Sequence, residues 1–169
     1  MAPRAAARLE SLGFEKVYEY KAGKLDWLAA GLPTEGENSN CPRAGDVSRK
    51  DVPASHPNDW LGDVAERARK ARWEVVVVVD AEHIVLGLLR SRELAMDPNL
   101  RVGQARSPGP STFRPYVSSK EMAIYMIEHE LESAPITTSD GKLVGLLFKS
   151  EAIRVAGSNT SCARKMITR

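Results

Sequence analysis

The sequence predicts an α/β (α+β) fold in which two related units pack sheet to sheet. Three observations lead to this prediction. The stretch from Val75 to Arg90 is repeated from Ser133 to Phe148, 58 positions later and without a gap. The unit around each copy is predicted to contain a helix, two strands and a second helix, in that order. A unit of this size cannot bury both faces of its own small sheet, so we expect one globule with two pseudo-symmetric halves.

The first unit contains a helix, two strands and the start of a second helix. Asn58 or Asp59 is expected to cap the first helix. The β-branched run Val75–Val79 predicts a strand that is covered on both faces, and Ile84–Leu89 predicts the strand that pairs with it. Ser91–Met96 begins the second helix. The apolar face of the first helix recurs at helical spacing, at Leu61, Val64, Ala65 and Ala68.

The second unit repeats these elements with clearer end signals. Ser118 and Glu121 form a capping-box pattern at the start of its first helix. The Asp-Gly pair at 140–141 predicts a tight hairpin turn before the strand Leu143–Leu147, and a closing helix follows. The proline- and glycine-rich residues 107–115 predict an extended lead-in segment, which matches a segment at the same place in the first unit.

Composition bounds the partners of the chain. The 169 residues are 43% hydrophobic and 27% charged, and a net charge of +2 arises from 24 basic and 22 acidic residues, so we expect no nucleic-acid partner. The longest apolar run is too short for a membrane span and no signal peptide is evident, so we expect no membrane partner and a cytoplasmic location. Cys41 and Cys162 form neither a disulfide framework nor a metal spacing and are expected to be free surface thiols.

The duplicated pattern resembles the paired CBS domain, a family named for cystathionine β-synthase. The resemblance rests on "IVLGLLRSREL", "KLVGLLFKSEA" and "PGPSTFRPYVSSKEMAIYMIEHELESAPIT". It covers about Arg43 to Val155 and implies a tandem of β-α-β-β-α units at 43–98 and 99–156. It also implies a disc-like module, often a homodimer, whose cleft binds AMP, ATP or S-adenosylmethionine. Such a module regulates an attached or partner protein, whose identity the sequence does not give.

The resemblance also supplies the candidate ligand-binding residues. The family's cleft uses a glycine, two apolar residues, a serine or threonine, two further residues and an aspartate. Here the hydroxyl position holds Arg90 in the first unit and Phe148 in the second, and the acid is Glu93 or Glu151. Thr112 in the lead-in segment completes the set. Either glutamate can accept hydrogen bonds from ribose hydroxyls, and Arg90 can pair with a phosphate, whereas Phe148 offers a phosphate no hydrogen bond.

A structural interpretation of the same residues stays open. Glu93 and Glu151 each lie at a helix start, where the helix dipole favours a carboxylate without any ligand. Arg90 is placed to pair with Glu93, and Phe148 is of a residue type that often belongs to a core. Histidines 56, 83 and 129 have no metal or catalytic spacing. Trp60 and Trp73 are expected to be core anchors, and Gly145 is explained by close packing.

The amino-terminal residues 1–36 have a different character. An alanine-rich helix stopped by Gly13, a strand over Phe14–Tyr20 and a helical turn around Trp27 form a predicted α-β-α appendage. "AAARLESLGFEKVYEY", Ala-Gly-Lys at 22–24 and "DWLAAGLP" resemble the carboxy-terminal end of a rhodanese domain, a sulfurtransferase fold. The resemblance implies a catalytic cysteine loop before the first helix, where this chain begins, so we expect no enzyme. Residues 37–42 are a predicted linker, and 157–169 a polar tail.

Three functions follow as hypotheses. The first is a non-enzymatic sensor with an adenosine-containing ligand between the two units. The second is a dimerisation or protein-interaction scaffold whose cleft is filled by its own side chains, including Phe148. The third is residual sulfur transfer, which requires a thiolate cradled by backbone amides, and the sequence places Cys41 in the linker instead.

Overall fold

A computed structural model describes residues 2–18, 20, 26–28, 32–33, 35 and 41–158. The chain divides into two compact units, Met1–Thr34 and Glu35–Arg169. Residues 37–40 of the predicted linker and residues 159–169 of the predicted tail lie outside the described residues. Among the residues described, no helix has the length and apolar character needed to cross a bilayer.

The smaller unit begins with helix α1, Ala2–Ser11. Gly13, with a φ of +90°, follows the helix as the predicted stop. The strand predicted over Phe14–Tyr20 is wrong for residues 14–18 and 20, which carry no strand. Phe14 is 58% exposed and Tyr18 is 87% exposed, and an isolated strand without a pairing partner is not stable. Residues 26–28 are helical, as predicted for the turn around Trp27.

The larger unit alternates helices and strands in the predicted order. Its described helices are α2 (Ala44–Val47), α3 (Leu61–Lys70), α4 (Ser91–Leu94), α5 (Val102–Ala105), α6 (Ser119–Glu128) and α7 (Lys149–Ser158). Its described strands are β1 (Ala54–Ser55), β2 (Val76–Val79), β3 (Val85–Leu89), β4 (Ser107–Pro108), β5 (Ser133–Thr137) and β6 (Leu143–Phe148). The helices and strands are those of a mixed α+β protein, which confirms the predicted fold class.

The strand pairing repeats with the same offset as the sequence. One sheet has the order β1-β2-β3-β4, and the other consists of β5 and β6. Val78 pairs with Gly87 in the first sheet, and Ile136 pairs with Gly145 in the second. Each hairpin then has a register shift at the next residue of its first strand. Each residue of the first pair lies 58 positions before its counterpart in the second pair, so the two hairpins are duplicates in register as well as in sequence.

The two hairpin turns contact each other symmetrically. The backbone N–H of Val85 donates to Gly141 O at 3.1 Å, and that of Leu143 donates to His83 O at 3.0 Å. Each donor and each acceptor in one bond is the duplicate of its counterpart in the other. An approximate twofold axis therefore passes between the turns. Gly141 has a φ of +88°, the conformation that its Asp-Gly sequence predicted.

The lead-in segments cross from one half to the other. Arg49 pairs with Leu146 of β6, and its duplicate, Ser107 of β4, pairs with Leu88 of β3. Helix α2 correspondingly contacts α6, α7 and β6. Each sheet is thus completed by the segment that precedes the other half's long helix. The domain boundaries at 43, 99 and 156 stay predictions. The sequence analysis did not predict the exchange of lead-in segments.

Three hydrophobic clusters hold the larger unit together. The central cluster joins the facing sheets and contains Val75, Val77, Val79, Leu88 and Leu146, with Val52, Trp73, Val85, Leu143 and Phe148 packed against it. One flanking cluster lies under α3 and α5, and the other lies under α2, α6 and α7. The four residues of β2 are all buried, as expected for a strand covered on both faces.

The two long helices start differently. Helix α3 has Trp60 at its N-cap with no side-chain hydrogen bond, so the predicted cap at Asn58 or Asp59 is wrong. The Asp59 carboxylate instead accepts from the backbone N–H of His56 at 3.0 Å, a local turn that competes with capping. At α6 the predicted cap is present, since Ser118 Oγ accepts from the Glu121 backbone N–H at 3.1 Å.

Replacing the cap residue Ser118 by alanine is expected to lower the free energy of unfolding by about 1 kcal/mol, because the first turn of α6 loses an acceptor. Urea denaturation of both proteins measures the change. Ser150→Ala is the matched control, since Ser150 is exposed within α7, and it is expected to change stability by no more than about 0.5 kcal/mol. Equal effects of the two variants would contradict the assignment of the cap.

The prediction of a free thiol at Cys41 is wrong, because Cys41 is disulfide-bonded. Cys162 lies outside the described residues. The sequence argument excluded a framework of several bridges, and one bridge needs no such spacing pattern.

Candidate functional site

Both halves place their predicted site residues where the second strand of the hairpin meets a helix. Strand β3 leads into α4 through Arg90, with Glu93 in the first turn of that helix. Strand β6 ends at Phe148, and Glu151 lies in the first turn of α7. The sequence interpretation therefore located equivalent positions correctly. Whether they bind a ligand stays a prediction.

Glu93 is used by the protein itself. Its Oε2 atom accepts from the Arg90 backbone N–H at 2.9 Å, which closes the first turn of α4. This is the carboxylate half of a capping box, and it satisfies a donor that the helix leaves unpaired. The Arg90 side chain is exposed. The expected side-chain pair between Arg90 and Glu93 is thus replaced by a contact with the backbone.

Glu151 differs from its duplicate. Its Oε2 atom is buried and has no hydrogen-bond partner among the described residues. A buried polar atom without a partner costs about 1–3 kcal/mol, so such atoms are few in a folded protein, and the others among the described residues are Ser55 Oγ and Arg106 Nε. The same residue type in the same turn therefore closes a helix in one half and leaves an unsatisfied acceptor in the other.

Three further residues, Arg49, Asp51 and Trp73, are linked to Phe148 and Glu151 and were not predicted as site residues. The Arg49 Cζ atom lies 4.1 Å from the centroid of the Trp73 ring. The Trp73 and Phe148 rings are 6.0 Å apart and inclined by 36°. Asp51 binds Arg49 through two contacts, from Nε to Oδ1 at 3.1 Å and from Nη2 to Oδ2 at 2.6 Å. We refer to Arg49, Asp51, Trp73, Phe148 and Glu151 as the Glu151 cluster.

Electrostatic coupling links the members of the Glu151 cluster. The hydrogen bonds with Asp51 raise the pKa of the Arg49 guanidinium, and the charge of Glu151 acts in the same direction. The same hydrogen bonds lower the pKa of Asp51. Arg49 reaches this place only because its lead-in segment pairs with β6 of the other half. Finding Arg49 from the sequence would have required knowing that its segment pairs with β6, and residue spacing does not show this pairing.

Thr112, the fifth predicted residue, is exposed in the lead-in segment. The next residue, Phe113, donates its backbone N–H to Pro135 O at 3.0 Å, which attaches this part of the segment to β5. Thr112 is therefore held near the sheet of the second half, and its role as a ligand contact stays a prediction.

Solved structures share the fold of the larger unit. The cytosolic domain of the Mg²⁺ channel MgtE, solved with ATP, matches with a TM-score of 0.62 and 23% identity, over 68% of this chain and 48% of that chain. CBSX2 of Arabidopsis thaliana, solved with AMP, matches with a TM-score of 0.62 and 20% identity, over 69% of this chain and 97% of that one. The chain has the fold of a CBS pair.

A further CBS domain pair, solved with 5′-methylthioadenosine and S-adenosylmethionine, matches with a TM-score of 0.61 and 16% identity, over 70% of this chain and 98% of that one. A curated relative, an uncharacterized protein of Methanopyrus kandleri, is 22% identical over 122 residues. These residues are 66% of this chain and 61% of the relative, so the chain matches about three fifths of the relative's length. No family model matches the chain.

The two tryptophans of the larger unit, Trp60 and Trp73, differ in their surroundings. Trp73 packs against two hydrophobic clusters, as expected of a core anchor. The same expectation is wrong for Trp60, which is 45% exposed and stacks under Arg101 at 3.4 Å. A cavity of about 350 Å³ is lined by Trp60, Gly62, Asp63, Pro98 and Asn99, and none of the predicted site residues lines it. Within the described part of the chain, no group of three metal-ligating side chains is present.

Proposed function

We propose that this CBS pair is a non-catalytic regulatory module that binds an adenosine-containing ligand at the Glu151 cluster. The observation that carries the proposal is the buried Oε2 atom of Glu151, which has no partner among the described residues. The fold supports it, because the MgtE domain, CBSX2 and the third CBS pair were solved with ATP, with AMP and with 5′-methylthioadenosine plus S-adenosylmethionine.

The chemistry of the Glu151 cluster suits a nucleoside. An ionised carboxylate only accepts hydrogen bonds, and a ribose offers two neighbouring hydroxyl donors. Such a donor would satisfy the unpaired oxygen of Glu151 and remove the cost of leaving it unpaired. Trp73 and Phe148 add aromatic surface against which a base can pack. Arg90 and Glu93 belong to the proposal as a second, weaker candidate site, because Glu93 already accepts a backbone hydrogen bond. Thr112, near the sheet of the second half, is proposed as a separate ligand contact.

The exchanged lead-in segment offers a route from ligand to regulation. Arg49 is hydrogen-bonded to Leu146 on both sides, with N···O distances of 2.8 and 2.9 Å, and the segment continues into β1 of the other sheet. A ligand that contacts Glu151 therefore touches a segment shared by both halves. It shifts their relative orientation only to the extent that it binds one arrangement more tightly than another.

Thermal unfolding with ligand tests the proposal. We expect AMP, ATP or S-adenosylmethionine to stabilise the chain by about 2.7 kcal/mol when its concentration is 100 times the dissociation constant. Glu151→Gln, which keeps the size of the side chain, is expected to lose most of this stabilisation. If neither these three compounds nor adenosine itself stabilises the chain at millimolar concentration, the proposed function is wrong.

A specific observation also favours the scaffold hypothesis. Ile124 and Ile127 on α6 and Ile153 on α7 are 48%, 56% and 43% exposed. The duplicate positions of the two α6 residues on α3 are Glu66 and Arg69, both exposed. One half thus has an apolar outer face where the other is charged. Under this alternative the face packs against a second copy of the chain, which would give the expected homodimer.

The apolar face makes a prediction about oligomeric state. Under the scaffold alternative, wild-type protein is expected to be a dimer by light scattering, and Ile124→Glu with Ile127→Arg is expected to yield a monomer, because charges replace the contact. The matched control is Glu66→Ala with Arg69→Ala on the duplicate face, which is expected to remain dimeric. A monomeric wild type at high micromolar concentration would rule out this face as a dimer contact.

The likeness of residues 1–36 to a rhodanese domain is kept as a proposal, together with a cytoplasmic location. Support for the likeness is local, because α1 and the stop at Gly13 are present while the strand is not. Residual sulfur transfer through Cys41 is disfavoured, since a disulfide-bonded sulfur provides no thiolate. A thiosulfate-dependent turnover of cyanide that disappears in Cys41→Ser would restore that hypothesis.

A further inference from the structure

We infer that the Glu151 cluster prefers a nucleoside without a phosphate group to the corresponding nucleotide. The inference rests on the proposed function and specifies the ligand class of the same site. It follows from the charges and hydrogen-bond donors that the described residues place around Glu151.

The charged groups of the Glu151 cluster leave no cation free for a phosphate. Asp51 and Glu151 are both acidic, and Arg49 is the basic member. Arg49 donates through two nitrogens to Asp51, at 3.1 and 2.6 Å, and its guanidinium carbon lies over Trp73 at 4.1 Å. An incoming phosphate would meet two carboxylates and a guanidinium that is already paired, and like charges at short range repel strongly.

The neighbouring cation is also engaged elsewhere. Lys50 Nζ donates to Gly45 O at 2.6 Å and to Ser48 Oγ at 3.0 Å, and burial lowers its pKa. At the end of β6 the side chain is Phe148, which has no donor. The unpaired atom itself, Glu151 Oε2, requires a donor, which the ribose hydroxyls of a nucleoside and of its nucleotide supply equally, so the phosphate adds only a charge that the two carboxylates repel.

The duplicate half provides an internal contrast. Arg90 is the duplicate of Phe148, and its side chain is exposed. The Glu93 carboxylate already accepts a hydrogen bond from the Arg90 backbone N–H. An anionic ligand would therefore find an exposed guanidinium at this position in the first half and a ring without a donor at the equivalent position of the second. Exchanging Arg90 and Phe148 is therefore expected to reverse which half binds an anionic ligand more tightly.

Isothermal titration calorimetry of the full chain with adenosine and with AMP tests the inference. We measure it in the Arg90→Phe background, so that an anion held by the exposed guanidinium does not mask the Glu151 cluster. Adenosine is expected to bind at least tenfold more tightly than AMP. Adding Phe148→Arg is expected to improve AMP binding at least tenfold and to leave adenosine no tighter. Circular dichroism of each variant confirms that it is folded.

Phe148→Arg removes the ring that packs on Trp73, so Glu151→Gln is a second, nearly isosteric variant. Both compounds lose the same ribose contact in this variant, and removing the negative charge relieves the repulsion of AMP alone, so the ratio of adenosine to AMP affinity is expected to narrow at least threefold. AMP that binds as tightly as adenosine in the Arg90→Phe background overturns the inference and leaves the proposed function standing. An unchanged ratio in Glu151→Gln also overturns it. Absence of binding by either compound, and by S-adenosylmethionine, overturns the proposed function as well.

Discussion

Leu146→Ala is expected to lower the free energy of unfolding by about 2–5 kcal/mol. Leu146 is 0% exposed, lies in the central cluster between the two sheets and pairs with Arg49 from the other half. Removing its side chain leaves a cavity where the two sheets meet, and the close packing on both sides limits collapse into that space. Urea denaturation with the linear extrapolation measures the loss.

The duplicate residue supplies the matched comparison for this prediction. Leu88 is also 0% exposed and belongs to the same cluster, so Leu88→Ala is expected to be destabilising to a similar extent. Leu12 is 59% exposed in the smaller unit, and Leu12→Ala is expected to change stability by less than about 0.5 kcal/mol. A loss near zero for Leu146→Ala would contradict the assignment of the central cluster.

Replacing the two equivalent glutamates by methionine is expected to have opposite effects on the ligand-free protein. Glu151→Met removes a buried oxygen that has no partner among the described residues, so it is expected to raise the free energy of unfolding by about 1–2 kcal/mol. Glu93→Met removes the acceptor of the Arg90 N–H bond, so it is expected to lower the same quantity by about 1–2 kcal/mol. The separation is therefore roughly 3 kcal/mol.

Thermal and urea unfolding of both variants without ligand measure this difference, and the addition of adenosine provides a second readout. Glu151→Met is expected to gain no stability from adenosine, because the carboxylate that receives the ribose hydroxyls is gone. Residues that bind ligands are often unfavourable to the folded state on their own, so a gain of stability with a loss of binding is the pattern of a functional residue. A destabilised Glu151→Met would show instead that Glu151 serves the fold.

The duplicated framework was accessible from sequence because its signals are local. Apolar spacing predicted α3 and α6, the valine run predicted β2, and the Asp-Gly pair at 140–141 predicted the second turn. Gly145 was attributed to close packing, and a Cβ there would lie 2.7 Å from Arg49 O. Repetition added confidence to each element, because a pattern that occurs twice at one offset constrains both copies.

The exchange of lead-in segments was not accessible. Arg49 and Ser107 each join a sheet through one or two residues of extended backbone, which leave no periodicity in the sequence. The strand predicted in the amino-terminal segment failed for the opposite reason, since residues 14–18 have strand-like composition and no pairing partner.

The candidate residues were predicted at equivalent positions without their surroundings, and their role as a ligand site stays a prediction. Glu93 and Glu151 share a sequence context, and the structure gives one of them a backbone donor and leaves the other unpaired. That difference depends on side-chain orientation, and the charge that interacts with Glu151 comes from another segment, at Arg49. Spacing along one chain does not encode these contacts.

A crystal structure of the full chain grown with saturating adenosine tests the central claim most directly. The account predicts a ribose hydroxyl oxygen within about 2.5–3.0 Å of Glu151 Oε2, with the base against Trp73 or Phe148. Adenosine bound elsewhere on the chain while Glu151 Oε2 stays unpaired would contradict the account, and so would a structure that binds no adenosine under these conditions.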